Sequence, residues 1–243
     1  HTGIALPGGY IGVDIFFVIS GFVITQLLVR ETADGSSIRL AKFYSRRIKR
    51  ILPAVAFAIV GTLFLSIFAM SPFGEQQEIA ETARASSLFA ANFYFFLQDS
   101  YWALAENPLR HLWSLAVEEQ FYLVFPLLMI VLLRWRKMLA PVLVVLAAAS
   151  VAAMVLTQSR NLAYYGTHTR AAELLIGALL ALAIPVSRQL AGIWAKIVAT
   201  MGIVALGAYV YIATHAHTSD NWLYQGGLSA FSLISCLLIV SVL

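Results

Sequence analysis

Long apolar runs constrain this chain more than any other feature. Seven stretches, residues 10–29, 51–70, 113–133, 139–157, 171–186, 197–213 and 226–243, are each nearly free of charge. A helix crossing a bilayer needs about 20 mostly apolar residues, and each stretch is of that order. An eighth, 85–97, is short and carries Asn92, which fits a buried, re-entrant or interfacial segment better than a span. Composition agrees. Charged residues make up 12% of the 243 and hydrophobic residues 60%, with a mean hydropathy of +0.83. Soluble domains carry roughly 25% charged residues, so the natural solvent for this surface is lipid. The expected fold is all-α: a polytopic transmembrane bundle of about seven spanning helices plus one short re-entrant or interfacial segment.

Basic residues set the expected orientation. Arg30, Arg39, Lys42, Arg46, Arg47, Lys49 and Arg50 crowd the segment 30–50, which is placed in the cytoplasm, whereas Glu75, Glu78 and Glu81 follow the next helix. If 85–97 does not cross, Arg134, Arg136, Lys137, Arg188 and Lys196 also fall inside. Arg160 and Arg170 then remain at the outer face. The chain reads as one membrane domain, 1–243. Because it begins at His1 and ends within an apolar run, it reads as truncated at both ends. The lone Cys236 supports neither a disulfide framework nor a cysteine metal site. No metal, permanently bound cofactor or nucleic-acid partner is expected.

Ionisable groups in apolar helices cost about 2.5–3.5 kcal/mol each on insertion scales, and four strings carry them. In Pro7–Phe17, Asp14 stands at the start of an apolar helix; it caps the free N–H groups or belongs to a site that includes His1, whose near-neutral pKa suits a general base. In Phe43–Pro53, Arg47 and Arg50 are three apart and share a helix face. They anchor the loop to lipid heads or grip a polyphosphate. Arg110–Leu123 contains Trp113, Glu118 and Glu119. Adjacent side chains diverge by about 100° on a helix, so the two carboxylates are expected to meet different partners. In Tyr164–Gly177, Arg170 and Glu173 form an i,i+3 pair, either an interfacial anchor beside Tyr164 and Tyr165 or part of a site.

Together these strings resemble acyltransferase family 3, the membrane-bound acyltransferases that include O-antigen and peptidoglycan O-acetyltransferases. The resemblance rests on residues 8–25, 43–53, 111–123 and 169–178, which occur in the family's order. It implies about ten helices, of which one would precede His1 and two would follow Leu243. It also implies an acyl-CoA donor, commonly acetyl-CoA, an envelope glycan as acceptor, and a multi-pass place in the bacterial inner membrane. His1 matches the family's histidine, without its upstream basic partner. Arg47 and Arg50 match its Arg-x-x-Arg motif and would hold the donor's phosphates. Glu119 is preferred to Glu118 for the family's glutamate. Asp14 or Glu119 would orient His1, and Tyr165 or Arg170 would donate to an oxyanion. Glu118, Trp113 and Arg170 are expected at the substrate. One difficulty is visible: the arginine pair and His1 fall at opposite ends of the first helix, across about 30 Å of hydrocarbon. The rival reading is a transporter or flippase, which would also keep charges inside a bundle.

Overall fold

The structure, a computed structural model, describes residues 8–33, 37–97, 107–184 and 192–243. His1 lies outside the described residues. Among the described residues ten α-helices follow in order: α1 Gly12–Ala33, α2 Leu40–Ala69, α3 Glu75–Ser87, α4 Ala91–Leu97, α5 Leu112–Leu133, α6 Arg136–Leu156, α7 Arg160–Tyr165, α8 Thr167–Ala183, α9 Ile193–His215 and α10 Leu228–Val242. A 3-10 turn, Gly9–Ile11, leads into α1, and a kinked π-type turn, Leu223–Gly227, leads into α10. Among the described residues there is no strand.

Among the described residues six segments are long and apolar enough to cross a membrane: Gly9–Thr32, Leu40–Ala69, Leu112–Leu133, Arg136–Leu156, Ala195–His215 and Leu223–Val242. The seventh expected span, 171–186, appears as α8. At 17 residues it is roughly 25 Å long, at the lower limit for a crossing helix. Its first turns are given to Thr169, Arg170 and Glu173, all fully buried. Helix α8 is the hub of the bundle, packing on α1, α6 and α10.

Two other boundaries differ from expectation. The basic cluster 40–50 belongs to helix α2 rather than to a loop. Arginine and lysine are good helix formers, and their stems lie along apolar surface while the charged heads reach water. At 30 residues, α2 is about 45 Å long and outruns the hydrocarbon. Its far half faces outward, with Phe57 82% and Phe68 75% exposed, a surface suited to lipid. The stretch 85–97 splits: its first residues close the polar helix α3, the chain breaks at Phe89 (φ 51°), and the seven residues of α4 are too few to cross. Helix α5 accordingly returns antiparallel to α2. Tyr44 near the start of α2 donates to the Leu123 carbonyl at 2.9 Å, while Val55 and Ile59 further along share a cluster with Leu109 and Leu112.

Glycines set the central contact. A Cβ on Gly21 would stand 1.8 Å from the Leu174 carbonyl oxygen, and one on Gly177 would stand 2.1 Å from the Val18 carbonyl oxygen. Helices α1 and α8 thus touch backbone to backbone, as small residues allow in membrane bundles. Gly21→Ala is expected to destabilise by about 1–3 kcal/mol through overpacking, because both obstacles are backbone. Gly61, with open space around it, is the control. Thermal midpoints in detergent check this, and equal midpoints for Gly21→Ala and Gly61→Ala would exclude the tight contact.

Candidate active site

Three of the polar clusters among the described residues involve or adjoin the candidate site residues. The deepest joins α1, α8 and α10. Arg170 Nη2 donates to Asp14 Oδ1 at 2.6 Å, and Nη1 stands 3.4 Å from Glu173 Oε1, with all three side chains at 0% exposure. Ser229 adds a hydroxyl donor to Glu173 at 3.4 Å. The guanidinium carbon lies 5.7 Å from the Phe17 ring centroid and 5.6 Å from that of Tyr164. Asp14 is therefore more than a helix cap, since its carboxylate is engaged by a cation 156 residues away. Nor is Arg170 an interfacial anchor: no part of it reaches the surface. One guanidinium shared between two carboxylates in low dielectric is tolerated only with this degree of pairing.

The second cluster joins α1, α2 and α5. Ser20 Oγ donates to Glu118 Oε1 at 2.5 Å, and the Tyr122 hydroxyl donates to the same oxygen. Glu119, one residue on, turns away to Arg47 of α2, with Nη1 to Oε1 at 3.8 Å. The Arg47 guanidinium also lies over the Tyr122 ring, 3.2 Å from its centroid, a cation–π contact. Arg47 and Glu119 keep 20% and 17% of their side chains exposed, so the pair is half-buried and open to a reactant. Arg50 is exposed and reaches Glu118 only through its charge. Glu119 sits about two turns into α5. The positions of Asp14 and Ser20 place the two clusters roughly 9 Å apart along α1. Arg47 thus lies level with Ser20 on α1, about two turns from the Asp14 cluster.

A third network ties α4 and α5 to the α7–α8 corner. Asn92 Nδ2 donates to the Tyr165 carbonyl at 3.2 Å and to Thr167 Oγ1 at 3.0 Å. Gln120 Nε2 donates to the Phe89 carbonyl at 2.8 Å and to Asn92 Oδ1 at 2.9 Å, while Thr167 donates to Gln120 Oε1. None of these three residues stood out as a site residue in the sequence. The available signal was Asn92, a buried amide in an apolar run, which needs partners.

Between the clusters lies an aromatic wall. Trp113 is centred 4.7 Å from Tyr164, 5.1 Å from Tyr165 and 6.1 Å from Phe17, and Tyr165 stacks on Phe95 at 5.7 Å. Trp113 and Tyr165 are almost fully buried and belong to the core that fixes α5 against α7. The structure thus brings Asp14 to Arg170 and Glu119 to Arg47, each across a helix interface. Among the described residues no group of three His, Cys, Asp or Glu side chains could hold a metal ion.

Charged groups paired in this way within a helical bundle define a polytopic membrane protein with a built intramembrane site. The chain belongs to acyltransferase family 3, whose acyltransferase-domain profile matches residues 3–243. It is 35% identical over 245 residues to O-acetyltransferase OatA of Staphylococcus aureus, covering 96% of this chain. It is 32% identical over 248 residues to peptidoglycan O-acetyltransferase OatA of Listeria monocytogenes, covering 97%. In each case the match spans 40% of the relative's length. No solved structure matches.

Proposed function

We propose that the protein is a membrane-embedded O-acyltransferase that moves an acyl group, acetyl foremost, from acyl-CoA to a hydroxyl of a cell-envelope glycan. Family membership supports the acyltransferase class and gives no support to a transporter or flippase. Peptidoglycan is the first acceptor to try, because the Listeria relative is named for it. The inner (plasma) membrane is the proposed location. The observation that carries the reading is the half-buried Arg47–Glu119 pair inside the bundle, backed by Glu118, Tyr122 and Ser20.

In this reading the acceptor oxygen attacks the thioester carbonyl carbon. A C–O bond forms, the C–S bond breaks, and coenzyme A leaves as thiol. His1 takes the hydroxyl proton and returns it to the departing sulfur; general-base help of this kind is worth roughly 10²–10⁴-fold. Glu119 orients and charge-stabilises the imidazolium, as carboxylates do for other catalytic histidines. Arg47 and Arg50 hold donor phosphates by charge-assisted bonds. The Asp14–Arg170–Glu173 cluster fixes α1 to α8 beneath the reacting groups, and Trp113 and Tyr165 wall the acceptor side.

Membranes incubated with radiolabelled acetyl-CoA and isolated peptidoglycan are expected to transfer label to ester-linked acetyl groups. Arg47→Ala should cut transfer at low donor concentration by about ten- to a hundredfold, the scale of a charged hydrogen bond. Label that never enters glycan with the natural protein, under conditions where acetyl-CoA is intact, would overturn the reading.

A further inference from the structure

A second charged concavity lies away from the acidic clusters, where the end of α1, the start of α2 and the α5–α6 corner meet. Its volume is about 380 Å³, and Thr32, Ser37, Ile38, Arg134 and Arg136 are among its lining residues. That volume falls in the range of small-molecule sites. Arginines just beyond a membrane helix ordinarily hold the loop at the lipid heads. Three features set this pair apart. Both line the same concave surface at the α5–α6 turn, although each side chain is also exposed. Among the described residues neither has a carboxylate partner, since the neighbouring Glu31 is paired with Arg39 at 3.5 Å. Both also flank the start of α6, where Trp135 supplies no side-chain cap and the first turn holds no acid. Cations at a helix N-terminus oppose its dipole; an anion bound between them reverses that penalty.

We propose that this cleft binds a phosphate ester, held by the Arg134 and Arg136 guanidinium groups and the Ser37 hydroxyl. Thr32 turns its own hydroxyl hydrogen back to the Leu28 and Val29 carbonyls, so it offers only lone pairs. Guanidinium forks match phosphate oxygens in pairs. The apolar wall at Ile38 takes the uncharged part of the ligand. Two sources share this chemistry: a soluble nucleotide phosphate and an anionic lipid headgroup. The inference does not depend on the acyl-transfer reading, because the cleft lies at the far end of α5 from Glu119, roughly 20 Å along the helix.

The experiment uses purified protein and the double variant Arg134→Ala/Arg136→Ala, with Arg134→Lys/Arg136→Lys to preserve topogenic charge while removing the bidentate fork. In neutral detergent, 3′,5′-ADP is titrated by calorimetry. In nanodiscs, thermal midpoints are compared in phosphatidylcholine alone and with added phosphatidylglycerol. A nucleotide site predicts affinity weakened at least about tenfold in the alanine variant and measurably in the lysine variant. A headgroup site predicts that phosphatidylglycerol raises the midpoint of the natural protein and not that of the variants. If nucleotide affinity stays within twofold and the lipid effect is unchanged in both variants, the cleft binds no phosphate and the proposal falls. The lysine variant decides the matter should the alanine variant fail to insert.

Discussion

Arg170→Met is expected to destabilise the folded bundle by about 3–5 kcal/mol, the scale observed when one partner of a buried ion pair is removed. The expectation follows from burial. Asp14 and Glu173 have no exposed surface, and the Arg170 guanidinium faces both, at 2.6 and 3.4 Å. Removing it leaves two carboxylates facing each other without a counter-charge at the α1–α8 contact. Arg170→Lys should recover part of the loss, since an ammonium keeps the charge but cannot bridge two carboxylates with a planar fork. The triple variant Asp14→Asn/Arg170→Met/Glu173→Gln should recover most of it, because the uncompensated charge is then gone. Such non-additivity is the signature of a coupled cluster. Thermal midpoints and the yield of monodisperse protein in detergent are the readouts. A single Arg170→Met variant melting with the natural protein would show that the cluster does not hold the bundle together.

How much of this was legible in the sequence depends on the range of each interaction. Apolar runs of membrane length are local, and they marked six spans and their order. The Arg170–Glu173 pair is also local, three residues apart, and its spacing alone indicated it. The pairing of Asp14 with Arg170 was not readable: both were visible as charges out of place, but 156 residues separate them. Ser20 and Tyr122 carried no signal at all. Hydroxyls are common in apolar helices, where they usually bond back to the preceding turn, as Thr25 does to the Gly21 carbonyl at 2.8 Å. Only the packing of α1 on α5 reveals that Ser20 instead reaches Glu118, 98 residues on. Gly21 and Gly177 are similar. Each is permissive by itself, and its meaning lies in the opposing backbone. The helical extension of α2 through the basic cluster was obscured for another reason. Positive charge dominated the reading of 30–50 as a loop, while Phe43 and Arg47 spend that segment's inner face on α5, through the cation–π contact with Tyr122.

The adjacent carboxylates of α5 should separate cleanly under mutation. Glu118 accepts from Ser20 and Tyr122 and is 6% exposed; it acts on the site through Tyr122, whose ring lies beneath Arg47. Glu119 faces Arg47 at 3.8 Å and retains 17% side-chain exposure, so it is the carboxylate a reactant can meet. Glu119→Gln is therefore expected to lower the turnover of acetyl transfer by about 10²–10⁴-fold, if it orients the general base, with the thermal midpoint nearly unchanged. Glu118→Ala should instead destabilise the protein by about 1–3 kcal/mol for each buried hydroxyl left without its acceptor, and activity should fall in proportion to the folded fraction. Glu118→Gln, which keeps an accepting oxygen but loses the charge, should sit between. Turnover and KM measured together separate the cases: loss of an orienting group lowers turnover, whereas loss of donor grip through a displaced Arg47 raises KM. Full activity in Glu119→Gln alongside an inactive but stably folded Glu118→Gln would exchange the two roles and make the hydroxyl-clamped carboxylate the reactive one.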